Sequence, residues 1–254
     1  MHPTPKLQNA LNLYLHGIRD GHIHDAIHDF TGARYTQHST GVADGREGFL
    51  AFFGPFLERW TKRDIRVVRA IEDGRYVFCQ VSQDLNEGEA RWVTTDMFDT
   101  DEDDKIVEHW DVISPWAAAR GDGRSQLGGP TEVRDLDRTQ ANKELVDAFF
   151  ERVLLGGAHE EMGDFVAEDL VQHDLAVADG RQAWVDDLAA REVHYGNLFR
   201  LLGQGNFVVT YCEVDVGGEA QAVFDLFRLE DGIIVERWVN AEVIPADTGN
   251  SGKF

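Results

Sequence analysis

The chain has 254 residues, and its 24 Lys and Arg against 46 Asp and Glu give a formal net charge of −22. A surface this acidic repels nucleic-acid phosphates and anionic membranes. Neither is therefore an expected partner. The 43% hydrophobic content suffices for folded cores, and the length suits two ordinary domains or one large one. The two cysteines argue against a disulfide framework or a cysteine-rich zinc site. With neither an apolar signal core nor a membrane-length apolar run, a cytoplasmic location is expected.

The first half of the chain reads as helices followed by strands. Apolar residues at helical spacing predict a helix over residues 7–18, and a short second helix follows over residues 24–30. Asp44, with Glu47 three positions on, is close to a capping box and predicts the start of a third helix. Its aromatic face should be kinked or interrupted at Gly54-Pro55. Residues 64–113 then predict four successive strands.

The last of these strands, Lys105–Ile113, carries a histidine and a carboxylate two residues apart. Side chains alternate along a strand, so His109 and Asp111 share a face with Val107 and Ile113. Such a pair fits acid/base chemistry in an apolar hollow, but it equally fits an edge strand whose polar groups meet water. The other face carries Ile106, Glu108, Trp110 and Val112.

The second half of the chain repeats the first. Residues 117–137, rich in Gly, Arg and Asp, read as a linker. After it, Gln172-His173 repeats Gln37-His38, and Asp179-Gly180-Arg181 repeats Asp44-Gly45-Arg46. Trp184 and Tyr195 are predicted to stand where Phe49 and Trp60 stand in the first copy. The predicted organisation is a first domain over residues 5–116, a second over residues 138–246, and a tail over residues 247–254. Each domain is α+β, with three helices packed on a curved, mostly antiparallel sheet.

The repeated motifs resemble those of a known fold family. A YxQH segment, a DGR helix start, a D-hydrophobic-F strand and a closing IVExW strand together resemble the nuclear-transport-factor-2-like fold. Within it, the match is to SnoaL-like polyketide cyclases and ketosteroid-isomerase-like proteins. The resemblance implies two cone-shaped domains, each enclosing a mainly apolar pocket between bent sheet and helices. Because this fold hosts isomerases, cyclases, dehydratases, epoxide hydrolases and binding modules, the resemblance leaves the reaction open.

The resemblance also implies which residues form the site. Asp111 matches the pocket carboxylate that does acid/base work near the end of the last strand, and His109 lies beside it. His38 matches a histidine that reaches the pocket from the side opposite the sheet. The residues expected to contact a ligand are Trp60, Phe53, Met97, Tyr35, His173, Arg237 and Tyr195.

The two copies differ in these residues. The second copy has Arg237 and Val239 in place of His109 and Asp111. The first domain is therefore the candidate active one, and the second is a degenerate copy that binds an anionic or carbonyl ligand through Arg237 or is only a structural partner. A set common to both copies is predicted to form one structural face that packs sheet against sheet: Asp96, Phe98, Glu108 and Trp110, matching Asp225, Phe227, Glu236 and Trp238.

Two functions follow from this interpretation. In the first, an apolar cavity makes Asp111 a stronger base, and His38 or His109 donates a hydrogen bond to the enolate of a small apolar carbonyl compound. Isomerisation, aldol cyclisation and dehydration fit, and so does hydrolysis of a strained ring through a bound water. In the second, the protein is a non-catalytic hydrophobic-ligand-binding or interaction module. No cofactor or metal is expected, since His22, His24 and His28 read as a solvated helix face. The two copies are expected to form an intrachain pseudo-dimer, and a further homodimer stays open.

Overall fold

The computed structural model describes residues 3–254, and its internal contacts divide the chain into two units. The first unit contains the chain up to Pro115 together with Ile244–Phe254, and the second is Trp116–Val243. We call them the first and second domains. The segment predicted as a linker therefore packs with the second domain, and the predicted tail packs with the first.

The first domain has the predicted order of helices and strands. Helix α1 (Pro5–Asn12) continues as a π-helical segment (Leu13–Arg19), and α2 (Ile23–Phe30), strand β1 (Thr31–Gln37) and α3 (Gly45–Arg59) follow. Four strands complete the domain: β2 (Arg63–Asp73), β3 (Tyr76–Leu85), β4 (Ala90–Thr100) and β5 (Ile106–Pro115).

The interruption predicted at Gly54-Pro55 does not occur, because α3 continues through Pro55 to Arg59. A proline inside a helix removes one backbone donor. Apolar contacts on the buried face compensate: Phe49 belongs to the domain core, and Phe53 and Phe56 pack against that core from both sides of the proline.

The second domain follows the same order. Helix α4 (Thr139–Phe149) continues as a π-helical segment (Phe150–Leu155), and a 3₁₀ turn (His159–Asp164) takes the place of α2. The remaining elements are β6 (Val166–Gln172), α5 (Arg181–Ala190), β7 (Val193–Gln204), β8 (Phe207–Val216), β9 (Glu219–Glu230) and β10 (Ile233–Val243).

The two five-stranded sheets have matching topology. Their strand orders are β1-β5-β4-β3-β2 and β6-β10-β9-β8-β7. The pairs β1–β5 and β6–β10 are parallel, and the other pairs are antiparallel. Gln37 lies beside His109 in the first sheet, and Gln172 lies beside Arg237 in the second. The predicted tandem α+β architecture is confirmed by this correspondence.

The register of β4 against β5 corrects one predicted face. Asp96 pairs with Asp111 and Phe98 pairs with His109, whereas Met97 pairs with Trp110. Directly opposed residues on neighbouring strands share a sheet face. Asp96 and Phe98 therefore lie with the His/Asp pair, and the prediction that they lie with Glu108 and Trp110 was wrong. The pairing shifts between Asp99 and Thr100, an irregularity that strand periodicity does not reveal.

The position of Tyr195 also differs from the prediction. Strand β7 begins with Val193 paired to the last residue of β8, as β2 begins with Arg63 paired to the last residue of β3. Tyr195 therefore corresponds to Ile65 rather than to Trp60. The cause is a shorter helix in the second domain, since α5 has 10 residues and α3 has 15.

Candidate functional site

A cavity of about 220 Å³ lies between the sheet and the helices of the first domain. Its walls are mainly aliphatic and aromatic, and a few polar groups lie among them. This is the usual composition of a small-molecule site. The helices contribute Leu13, Tyr14, Ile18, Phe49, Phe52, Phe53 and Phe56, and the remaining lining includes Tyr35, Gln37, Ser39, Thr40, Val42, Gln83, Trp92, Phe98, His109, Asp111 and Ile113.

His109 is held from both sides of its ring. Its Nε2 lies 2.9 Å from Asp96 Oδ1, and its Nδ1 lies 3.0 Å from Gln37 Oε1. The Gln37 amide nitrogen donates to the Tyr35 hydroxyl at 3.0 Å, so the amide oxygen is the atom that faces His109. His109 Nδ1 therefore carries a proton, and Nε2 shares one with the Asp96 carboxyl.

Asp96 is fully buried beneath this ring. The Tyr14 hydroxyl donates to its Oδ1 at 2.6 Å, and the Thr94 hydroxyl donates to its Oδ2 at 3.0 Å. Burial raises the pKa of the Asp96 carboxyl, although the hydrogen bond with His109 opposes this. Burial and the charge of Asp96 also raise the pKa of Tyr14, so its phenol remains a donor. The Asp96 carboxyl group therefore holds the His109 ring from the side opposite Gln37.

Asp111 lies next to this pair and is also buried. Its Oδ2 accepts a hydrogen bond from the Ser39 hydroxyl at 2.6 Å, and its Oδ1 lies 3.4 Å from Lys253 Nζ. One side-chain ligand atom from each of Asp96, His109 and Asp111 lies within 4.8 Å of the others. The cavity therefore brings two carboxyl groups and an imidazole together at one end.

These three residues are also donor types that a divalent metal uses. Both oxygens of Asp96, however, already accept protein hydrogen bonds, and its Oδ1 faces His109 directly. The arrangement suits proton transfer better than metal binding. A second group, His16, His22 and Asp25, has ligand atoms equally close, but the rings of His16 and His22 stack 4.6 Å apart. His24 and His28 do not belong to that group.

His38 lies outside the cavity lining, in contrast to the prediction. Its ring stacks on Trp110 with centroids 4.9 Å apart, and its Nε2 lies 3.0 Å from Glu108 Oε1. Its Nδ1 lies 2.5 Å from the Gly252 carbonyl oxygen. The reason is strand alternation at the end of β1, which directs Gln37 into the cavity and His38 to the opposite face.

The second domain repeats this His–Trp stack. His173 stacks on Trp238 with centroids 4.6 Å apart, and its Nε2 lies 2.7 Å from Glu236 Oε1. Its Nδ1 lies 2.6 Å from the Ser125 carbonyl oxygen. Since both histidines make the same contacts, the stack is a structural feature of the repeat, and His173 is placed as a core residue.

The other predicted contact residues divide into two groups. Tyr35 and Phe53 line the cavity. Trp60 and Met97 lie outside its lining: Trp60 packs edge-on against Trp92, and Met97 lies on the Trp110 face. Sequence reasoning missed Asp96, Tyr14, Gln37, Ser39 and Lys253. The repeated D-hydrophobic-F motif was a signal for Asp96, but its strand face was assigned incorrectly.

Arg237 occupies the position of His109 in the second domain. Its Nε lies 2.8 Å and its Nη2 2.7 Å from Asp225 Oδ1. The Tyr195 hydroxyl donates to Asp225 Oδ2 at 2.9 Å, and the guanidinium lies over the Trp184 ring at 4.3 Å. Burial would lower the pKa of Arg237, but the Asp225 charge outweighs it and the pKa is raised. The donors of Arg237 are thus engaged by the protein's own groups.

Most of the first domain matches a known protein family. The family model described as a SnoaL-like domain matches residues 13–109. The first domain is therefore a SnoaL-like domain, and the second repeats its strand order. Comparison with curated proteins gave no significant match.

Several solved structures are similar to part of the chain. A candidate ketosteroid isomerase from Kribbella flavida is 20% identical, with 46% of this chain and 87% of that chain covered and a TM-score of 0.37. A candidate polyketide cyclase from Bacillus cereus is 16% identical, with 44% and 75% covered and a TM-score of 0.39. An LEH-like epoxide hydrolase from M. tuberculosis is 18% identical, with 41% and 85% covered and a TM-score of 0.35.

No helix within residues 3–254 combines the length and the apolar character that crossing a bilayer requires.

Proposed function

We propose that the first domain is a SnoaL-like enzyme that uses Asp111 and His109 for acid/base chemistry on a small apolar carbonyl compound. The observation that carries the proposal is the placement of His109, held by Asp96 and Gln37, beside Asp111 in an apolar cavity. Isomerisation, aldol-type cyclisation and dehydration all begin with the same step, removal of a proton next to a carbonyl group.

Asp111 and His109 act together in this step. Asp111 accepts the proton from carbon, and His109 donates a hydrogen bond from Nδ1 to the developing enolate oxygen. The substrate oxygen replaces Gln37 at Nδ1, because the neutral amide is a weaker partner than the Asp96 carboxyl group. Asp111 then returns the proton to another carbon in an isomerisation, or the enolate attacks a second carbonyl group in a cyclisation.

The cavity bounds the size of the substrate. An engineered apolar cavity of about 150 Å³ holds one benzene molecule. A volume of about 220 Å³ therefore suits a compound slightly larger than a single ring. The aromatic side chains of α3 favour a flat or cyclic apolar body, with its carbonyl group directed toward His109.

A non-catalytic hydrophobic-ligand-binding or interaction module is the second candidate. It is favoured by the second domain, which keeps the fold while Arg237 and Val239 replace the acid/base pair. In this case the first cavity binds the apolar molecule and releases it unchanged.

The deciding experiment is proton–deuterium exchange, followed by NMR, on a panel of cyclic and 1,3-dicarbonyl ketones. We expect exchange by the wild type, and a decrease of about 10²–10⁴-fold for Asp111→Asn, the usual contribution of a positioned acid/base group. Asp103→Asn is the control, because Asp103 is an exposed carboxylate of the β4–β5 turn. A fully active Asp111→Asn enzyme would contradict the proposed base. Absent exchange by the wild type, with ligand line-broadening still visible, would favour the binding module.

A further inference from the structure

The tail segment, residues 247–254, follows the second domain in sequence but packs on the first. It lies along the connecting loop, residues 38–44, that joins β1 to α3. The Gly41 N–H donates to the Thr248 carbonyl at 2.9 Å. The Asn250 amide donates to the carbonyls of Ser39 and Val42 at 2.5 and 2.9 Å. The contacts of His38 with the Gly252 carbonyl, of the Ser251 hydroxyl with Asp44 and of Lys253 with Thr40 also hold the tail on this loop.

The tail segment brings Lys253 to the cavity carboxylate. Lys253 is only 3% exposed, and its Nζ lies 3.4 Å from Asp111 Oδ1 and 3.3 Å from Thr40 Oγ1. Asp111 and Thr40 both line the cavity. Burying an ammonium group is costly unless an opposite charge compensates it. The position of Lys253 is therefore explained by its pairing with Asp111.

The second domain has a segment that corresponds to the tail. Residues 125–128 follow the first domain in sequence and pack on the second: the Ser125 carbonyl faces His173, and the Gly128 carbonyl accepts from the Trp238 indole at 3.0 Å. Each His–Trp stack thus contacts a segment that comes after the other domain's last strand. The carboxylate is present only in the first domain, since Val239 stands where Asp111 does.

We propose that Lys253 is a positioning residue for Asp111, whose carboxylate it pairs with and orients, so that the tail segment completes the site of the first domain. This inference rests on the proposed function for the role of Asp111 in catalysis, but the pairing itself can be tested separately.

The groups around Asp111 explain why a cation is needed. Asp96 on β4 is a like charge when ionised, and the apolar walls disfavour a carboxylate. His109, which lies on β5 with Asp111, shares its proton with Asp96. The phenols of Tyr14 and Tyr35 are neutral. Ser39 donates one hydrogen bond. Lys253 is the positive charge that the tail segment adds to this set.

The test follows the Asp111 carboxyl signal by NMR in full-length protein labelled with ¹³C at the aspartate carboxyl carbon. Its absence in Asp111→Asn assigns the signal. We expect Lys253→Met to change the chemical shift of this signal at neutral pH and to lower kcat for ketone exchange with KM unchanged, because the carboxylate loses the partner that orients it, and Lys253→Arg to restore both. Asn250→Ala should change the chemical shift in the same direction by less, because it loosens the tail without removing the charge. Ser251→Ala, which loses only its contact with Asp44, is the control.

An unchanged chemical shift in Lys253→Met would overturn the inference, whatever the catalytic result. A changed chemical shift, with kcat lowered and KM unchanged, would support both the pairing and its role in catalysis. A changed chemical shift in a protein that exchanges no ketone would retain the pairing and reject only the proposed function. Unchanged near-ultraviolet circular dichroism of each variant would show that the fold is preserved.

Discussion

The two domains share a scaffold but differ in the centre of the sheet. Both have a fully buried aspartate at the same register position, Asp96 and Asp225, and in both a phenol donates to it. The phenols come from different elements: Tyr14 lies in a helical segment, and Tyr195 lies on β7. The shared requirement is therefore a satisfied buried carboxyl group, which different residues can supply.

The difference between the domains concerns the partner of that carboxyl group and the space above it. In the first domain a histidine is the partner, and a cavity remains. In the second an arginine is the partner, and its guanidinium lies over the fully buried Trp184, which corresponds to Phe49. Arg and Trp are larger than His and Phe, so these side chains occupy more of the interior, and Arg237 forms a buried ion pair with Asp225. The same sheet topology therefore accommodates both arrangements.

The largest expected effect comes from transferring the second domain's ion pair into the first. His109→Arg should pair with Asp96 as Arg237 pairs with Asp225, and should lower ketone exchange by about 10²–10⁴-fold, because the proton-sharing imidazole is lost. Folding should be retained. The rate of ketone exchange measures the loss of activity, and the midpoint of urea unfolding measures whether folding is retained. Arg237→His is the matched variant in the second domain. It should gain no activity, because Val239 still occupies the position of Asp111. Undiminished exchange by His109→Arg would remove His109 from the mechanism.

Breaking the ion pair of the second domain should be the next largest effect. Arg237→Ala leaves Asp225 buried without its cation, which typically costs about 3–5 kcal/mol. Hydrogen exchange followed by mass spectrometry, on peptides from β9 and β4, would locate the loss in the second domain. Arg134→Ala, which breaks an exposed pair with Glu132, should change little and is the control. Equal loss of protection in β4 and β9 would contradict an effect of Arg237 that is confined to the second domain.

A smaller effect on stability is expected from the glutamates that contact the two His–Trp stacks, Glu108 and Glu236. Glu236 is bonded by His173 and Arg228, and its side chain is 4% exposed, whereas that of Glu108 is 20% exposed. Burial alone would raise the pKa of Glu236, but these hydrogen bonds and charges lower it. Its contribution is therefore present above the ordinary glutamate pKa and is lost as the pH falls through the lowered value.

Urea unfolding at several pH values measures this contribution. Glu236→Gln should cost about 1–3 kcal/mol at pH 7 because charged hydrogen bonds are lost, and Glu108→Gln should cost less. The difference between wild type and Glu236→Gln should shrink below about pH 4, where glutamate is ordinarily protonated. A difference that grows toward acidic pH would show that the carboxylate is not the stabilising form.

The sequence alone was sufficient for the repeat, the α+β class and the common strand face of His109 and Asp111. These depend on local periodicity and on motifs that recur in both halves, which a chain displays without being folded. The loss of the pair in the second copy is also visible in the sequence, because the aligned motifs have Arg237 and Val239 at the positions of His109 and Asp111.

The surroundings of that pair depend on tertiary contacts. An irregularity in the pairing of β4 with β5 determines which sheet face carries Asp96. Strand alternation at the end of β1 directs Gln37, and not His38, into the cavity. The tail segment places Lys253 beside Asp111. Each contact joins residues far apart in sequence, through strand register or the path of an irregular segment. Neither leaves a local pattern in the sequence, because both depend on which surfaces the whole chain can bury together.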